Sequence, residues 1–287
     1  MQTHVECFPC IMNQTLEAAE HHHLPEDVKE RVVFAVLDML RNLPDDISPP
    51  LVSTRMHEII GETIGQQDPY ADIRRNSNVL GLDLIPEIRK KIANHRSSLE
   101  TAIRYAIAAQ VFDGENGRAR SDIHRELEYA PSAEFGVDHI KSMKRDLRQA
   151  EKIVYLANAA GEIAFDRLFI EQLIDLYPAE IVLVVKQDPV LLYATLEDAE
   201  FVGLDSLTHL VANRSDAPAT VLEKTSEKVK NHIDDADVIL AKGQMHYESL
   251  SEVEHNIYFL FQVNCPVISR EIGADMHQYI IMQGSGT

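Results

Sequence analysis

From Lys152 onward the chain is written in short, continuous apolar runs separated by helical stretches, and few folds accept that pattern. The runs are Ile153-Val154-Tyr155-Leu156, Ile181-Val182-Leu183-Val184-Val185, His209-Leu210-Val211, Val238-Ile239-Leu240-Ala241 and Ile257-Tyr258-Phe259-Leu260-Phe261. A strand that is apolar on both faces must be covered on both faces. Between the runs lie helical stretches from Phe165 to Tyr177, Thr195 to Phe201 and Ala219 to Ile233, with a short helix near Tyr247. Strands alternating with helices predict an α/β region over 151–287, a Rossmann-like parallel sheet with helices on both faces. A final run, Tyr279-Ile280-Ile281-Met282, is expected to add an edge strand.

Residues 1–150 read differently. Apolar residues recur at helical spacing, as at Val32, Val33, Val36, Leu37 and Leu40. Pro25-Glu26-Asp27 opens that helix: proline suits a first turn, and acids suit its positive end. Further helices are expected at Cys10–His22, Val52–Ile64, from Asp68-Pro69-Tyr70, and at Leu84–Ala93, Ser98–Phe112, Asp122–Glu128 and Val137–Ala150. No strand pattern of useful length precedes residue 150. The expectation is an all-helical N-terminal region packed on the sheet region as one compact unit.

Composition narrows the partners. The chain has 287 residues and a formal net charge of −19, which repels phosphate backbones and anionic membranes. Nucleic acid and membrane are not expected partners. No apolar run is long enough to span a bilayer. The start lacks a basic stretch followed by an apolar one, so a cytoplasmic location is expected. Three cysteines do not make a disulfide framework. Cys7 and Cys10 form a lone C-x-x-C: a redox pair, although such pairs usually follow a strand and none precedes this one, a second metal site if other ligands join it, or simply a helix start carrying two sulfurs.

Open parallel sheets bind ligands beyond the carboxyl ends of their strands. That rule selects Asn158 to Glu162, Lys186-Gln187-Asp188, Asn213-Arg214-Ser215-Asp216, Lys242-Gly243-Gln244-Met245-His246 and Asn264-Cys265. Lys186, Arg214 and Lys242 bring cations to that rim, with Gly243 beside them, and suit a phosphate group. Asn158, Glu162, Asp188 and His246 are the candidates for acid, base or metal-ligand chemistry. Polar residues also end strands that bind nothing.

The order and spacing of several blocks resemble the damage-control phosphatase family, long catalogued as a domain of unknown function. They are Cys7-Phe8-Pro9-Cys10, Asp68-Pro69-Tyr70, Asn158 to Asp166, Thr195 to Ala199, Ala236 to Gln244 and Asn264 to Val267. The resemblance covers nearly the whole chain. It implies a metal-dependent phosphatase acting on small phosphometabolites such as sugar phosphates, with Mg²⁺, Mn²⁺, Co²⁺ or Ni²⁺ as cofactor. The family pattern has Asp-Asn where this chain has Asn158-Ala159, and Asn-Asp where it has Leu192-Tyr193. It also has Gly-Asn in place of Ala109-Gln110, before Asp113, and in place of Met245-His246, and Lys in place of Asn264. Two carboxylates are thereby lost, and Ala159 and Leu192 carry no side-chain oxygen. A hard divalent cation wants several anionic oxygens, so Asn158 is a poor remaining ligand. The expectation is a family member that binds a phosphorylated ligand, or a protein partner, with little or no turnover. The alternatives are an active enzyme with a site rebuilt on His246, Asp188 or Glu162, and a non-enzymatic protein with a cysteine metal site.

Overall fold

The computed structural model describes residues 1–65, 68, 70–112 and 120–285. Pro69 and Asp113, both singled out above, lie outside the described residues. The first half supplies α1 (Phe8–His21), α2 (Glu26–Arg41), α3 (Pro49–Ile64), α4 (Ala71–Ala93), α5 (Ser98–Ala108) and α6 (Arg120–Tyr129). Then follow β1 (Phe135–Asp138), α7 (Ile140–Leu147), β2 (Lys152–Leu156), α8 (Glu162–Leu176), β3 (Glu180–Lys186), α9 (Leu196–Phe201) and β4 (His209–Asn213). The chain closes with α10 (Glu227–Asp234), β5 (Val238–Lys242), α11 (Gln244–Leu250), β6 (Ile257–Gln262), α12 (Pro266–Ile272) and β7 (Tyr279–Gln283).

The strands form one sheet in the order β1-β7-β6-β5-β2-β3-β4. Every pairing is parallel except β6 with β7. From β2 the chain builds outward through β3 to β4, then returns to the other side of β2 with β5. The order therefore reverses between β2 and β5, which is where an open sheet leaves a crevice.

Strand alternation sorts the core into two layers. Ile153, Tyr155, Leu183, Leu240 and Tyr258 pack with α4, α5 and α8 on one face. Val154, Val182, Ile239, Ala241 and Phe259 pack with Val229 of α10, Leu250 of α11 and Ile268 of α12 on the other. A third core lies among α1, α2 and α3, around Val32, Val36, Val52 and Met56. It also takes in Ala159 and Leu192, two residues from the strand-end loops.

Four expectations are corrected. A strand does precede residue 150: β1 pairs with β7 and forms the sheet edge, so the final run lies inside the sheet rather than at its rim. The helix expected from Val137 begins only at Ile140, where Asp138 accepts a hydrogen bond from the first helical N–H. The helix expected from Ala219 starts at Glu227, after one 3-10 turn at Leu222–Lys224. The stretches from Asp68 and from Leu84 are one helix, α4, with Pro86 in its interior.

Candidate functional site

At the reversal point, β2 runs into the loop 157–161 and β5 into Gly243. Gly243 has a φ of +89°, and a Cβ there would come within 2.5 Å of the Asn158 side chain. Only glycine lets the β5 loop close so tightly on Asn158, so Gly243 serves a close approach between the two loops. Gly161, at φ +78°, faces Phe112 and Ser77 just as closely, and its N–H donates to Asn78 Oδ1 at 2.7 Å.

Beneath these glycines is a buried ionic cluster. Lys242 Nζ bonds Glu162, lies 3.0 Å from Asp166 Oδ1 and donates to Ala106 O at 2.8 Å. Tyr155 OH donates to Asp166 Oδ1 at 2.7 Å. Asn158 Nδ2 donates to Glu162 Oε2 at 2.8 Å. All of these side chains are buried. Burial pushes the Asp166 carboxyl up to about 6 despite the pull of Lys242. Burial alone would lower the Lys242 ammonium, but Asp166 and Glu162 outweigh it and raise it above the usual lysine value. The three ammonium hydrogens are spent on protein acceptors. Lys242, expected to face a phosphate, instead neutralises the carboxylates beneath the loop.

Lys186 is likewise turned inward. Its Nζ donates to Ala217 O at 2.5 Å and Ala219 O at 2.6 Å, and sits 5.5 Å from the centre of the Tyr193 ring. Among the described residues no carboxylate is paired with it, and burial pulls its amine down to about 7. It pins the 215–219 loop to the end of β3. His246 is buried with both ring nitrogens engaged: Nδ1 lies 2.6 Å from Lys242 O and Nε2 lies 3.2 Å from Thr220 Oγ1. A carbonyl can only accept, so Nδ1 carries the proton and Nε2 accepts from Thr220. Desolvation drives the imidazole down to about 3. It is a neutral structural histidine, not a base exposed to substrate.

The crevice above this cluster is closed by the segment after β3. Ala160 N–H donates to Leu192 O at 2.8 Å, Ala194 N–H to Asn158 O at 2.8 Å, and Lys186 N–H to Ala194 O at 2.9 Å. Ala159 and Tyr193 form an antiparallel bridge. Tyr193 is 6 % exposed and packs edge-on against His246, with ring centres 6.2 Å apart.

Open space lies to one side, at the ends of β3 and β4. A cleft of about 330 Å³ is bounded by α3, the start of α4 and the loops after β3 and β4. Asp188, Arg214 and Asp216 line it together with His57, Glu58 and Tyr70. Asp188 and Arg214 are exposed. Asp68 is held by Arg74 at 2.7 Å and Asp216 by Lys224 at 2.9 Å, and Glu58 and Asp188 line the same cleft as Arg214. Of the expected cations, Arg214 alone reaches this cleft.

Sequence reasoning missed the contribution of α4. Arg74 and Asn78 stand four residues apart and so share a face. Asn78 Nδ2 donates to Asp198 Oδ1 at 2.5 Å, and Asp198 in turn caps α9 through Thr195. A buried-polar pair at i and i+4 just after Asp68 was the available signal. Cys7 and Cys10 lie at the start of α1, away from the ionic cluster. Among the described residues no group of three or more His, Cys, Asp or Glu side chains is arranged to hold a metal ion, and no helix is long and apolar enough to cross a membrane.

The family model of the damage-control phosphatase ARMT1-like domain matches residues 3–280. The chain belongs to the damage-control phosphatase family. Damage-control phosphatase PH1575 of Pyrococcus horikoshii is 26% identical over 274 residues, 95% of this chain and 94% of that protein. A damage-control phosphatase of Archaeoglobus fulgidus is 26% identical over 279 residues, 94% of this chain and 95% of its own. The crystal structure of the P. horikoshii protein superposes with a TM-score of 0.90 at 25% identity, covering 99% of this chain and 100% of that one.

The family is one of metal-dependent phosphatases, so the fit of a divalent ion to these residues can be tested. The carboxylates nearest the reversal point, Glu162 and Asp166, are bound to Lys242. Asn158 donates to Glu162, and Ala159 and Leu192 belong to the α1–α3 apolar core. Buried Asp166 Oδ2 has no hydrogen-bond partner among the described residues, but a divalent ion requires several free oxygens at one point. The residues present do not fit one there.

Proposed function

We propose that this damage-control phosphatase family member binds a small phosphorylated metabolite in the cleft beside Arg214 and turns it over slowly or not at all. One observation carries this reading: Ala159, where the family pattern has a metal-ligating asparagine, and Leu192, beside the Tyr193 that stands for its metal-ligating aspartate, are buried in the α1–α3 core. A leucine side chain so buried contributes roughly 1.5–3 kcal/mol to the fold. The site position has thus been given over to packing. The cleft volume falls at the small end of ligand pockets, and Arg214, with its planar fork of donors, is the group suited to a phosphate.

Purified protein assayed with p-nitrophenyl phosphate and sugar phosphates, across Mg²⁺, Mn²⁺, Co²⁺ and Ni²⁺, tests the reading. The expected result is no turnover above the metal-free control. Sugar phosphates should nevertheless raise Tm, and Arg214→Ala should abolish that rise. Metal-stimulated turnover lost on Asp188→Ala would instead support an enzyme rebuilt in the side cleft.

A further inference from the structure

Cys265, remote in sequence, comes close to the Cys7–Cys10 pair in the fold. Cys7 is the residue before α1 and Cys10 lies in its first turn, with Pro9 between them. Cys265 immediately precedes α12, just after β6. Glu6, next to Cys7, forms an ion pair with Arg270 of α12. The Gln244 amide accepts from Asn264 N–H at 3.0 Å and donates to Glu248 Oε1 at 3.0 Å, tying buried Glu248 to the loop that carries Cys265. Cys265 and Glu248 lie near both Cys7 and Cys10. Cys7 is buried, Cys10 exposed and Cys265 half-buried, and all three are free thiols.

We propose that Cys7 and Cys10 are a dithiol–disulfide couple that exchanges with small-molecule disulfides through the exposed Cys10. Residues three apart at a helix start bring their Cβ atoms to about 5–6 Å, and a small adjustment of the first turn closes an S–S bond. The Cys10 thiolate attacks one sulfur of the external disulfide, breaking its S–S bond and releasing one thiolate. The Cys7 thiolate then attacks the Cys10 sulfur and releases the second. The two protons lost by Cys7 and Cys10 go to the two leaving thiolates, so the protein is oxidised by two electrons and the external disulfide reduced by two. Burial, with Cys265 and Glu248 nearby, holds both thiols above the usual cysteine value. A dithiol whose thiolates are not stabilised makes a disulfide that resists reduction. The couple is therefore slow to form and strongly reducing.

The full chain is incubated with oxidised glutathione, quenched in acid, alkylated and mapped by mass spectrometry. The expected product has lost two hydrogens, carries a Cys7–Cys10 link and keeps only Cys265 open to alkylation. It should persist in an equimolar mixture of reduced and oxidised glutathione, and Cys265→Ser should behave the same way. Cys10→Ser, at an exposed position that preserves the fold, should form no internal disulfide. Three alkylated thiols after oxidation, a lasting glutathione adduct on Cys10, a link to Cys265, or reduction in the equimolar mixture would each overturn the proposal.

Discussion

Two places at the carboxyl ends of the strands carry the polar residues of a site, and they differ in where those residues point. At the β2–β5 reversal, Asn158, Glu162, Asp166, Lys242 and His246 are buried and bonded to one another or to backbone. At the β3–β4 end, Asp188 and Arg214 face an open cleft. Apart from Asp166 Oδ2, which has no hydrogen-bond partner among the described residues, the polar atoms of this cluster are largely taken up within the protein and leave little to offer a ligand. Residues that hold the crevice shut thus differ from residues that face open space.

The largest effect should come from breaking the ionic cluster. Lys242→Met leaves Glu162 and Asp166 buried without a cation, and should lower stability by about 3–5 kcal/mol in denaturant unfolding. Leu192→Ala should cost about 2–4 kcal/mol, because that side chain fills the α1–α3 core. A near-neutral result for Leu192→Ala would mean that the segment over the crevice packs loosely, and the contrast between the two regions would weaken.

Lys186 offers a pH test. Its amine is held at about 7 in the fold against 10.5 as the ordinary value. Between those two values the unfolded chain binds more protons, so stability should rise with pH over that window. At its steepest the rise is about 1.4 kcal/mol per pH unit. Lys186→Met should remove that rise, whatever it does to stability at one pH. The smallest effect on stability belongs to the open cleft: Arg214→Ala should stay within about 0.5 kcal/mol of wild type while losing the Tm response to sugar phosphates. If Arg214→Ala destabilised as much as Lys242→Met, the two regions would not differ as described.

Much of this was legible in the residues. The five apolar runs are β2 to β6, and the reading of a parallel sheet covered on both faces follows from their two-sided burial. β1 escaped because Phe135-Gly136-Val137-Asp138 only half-buries alternate residues over four positions and pairs on one side. The residues Asn158-Ala159 and Leu192-Tyr193, which depart from the expected family pattern, could be read directly. The direction of Lys186 and Lys242 could not, because their acceptors include the carbonyls of Ala217, Ala219 and Ala106, and backbone groups leave no mark in a sequence. Gly243 carried a signal that was read as phosphate-facing and belongs to its contact with Asn158.

The central claim is that the crevice between β2 and β5 does not hold a divalent ion. Calorimetric titration of metal-free protein with Mn²⁺ and Co²⁺, repeated on Asn158→Ala, tests it most directly. The account predicts no saturable one-to-one binding that depends on Asn158. A single tight site per chain that disappears in Asn158→Ala would contradict it.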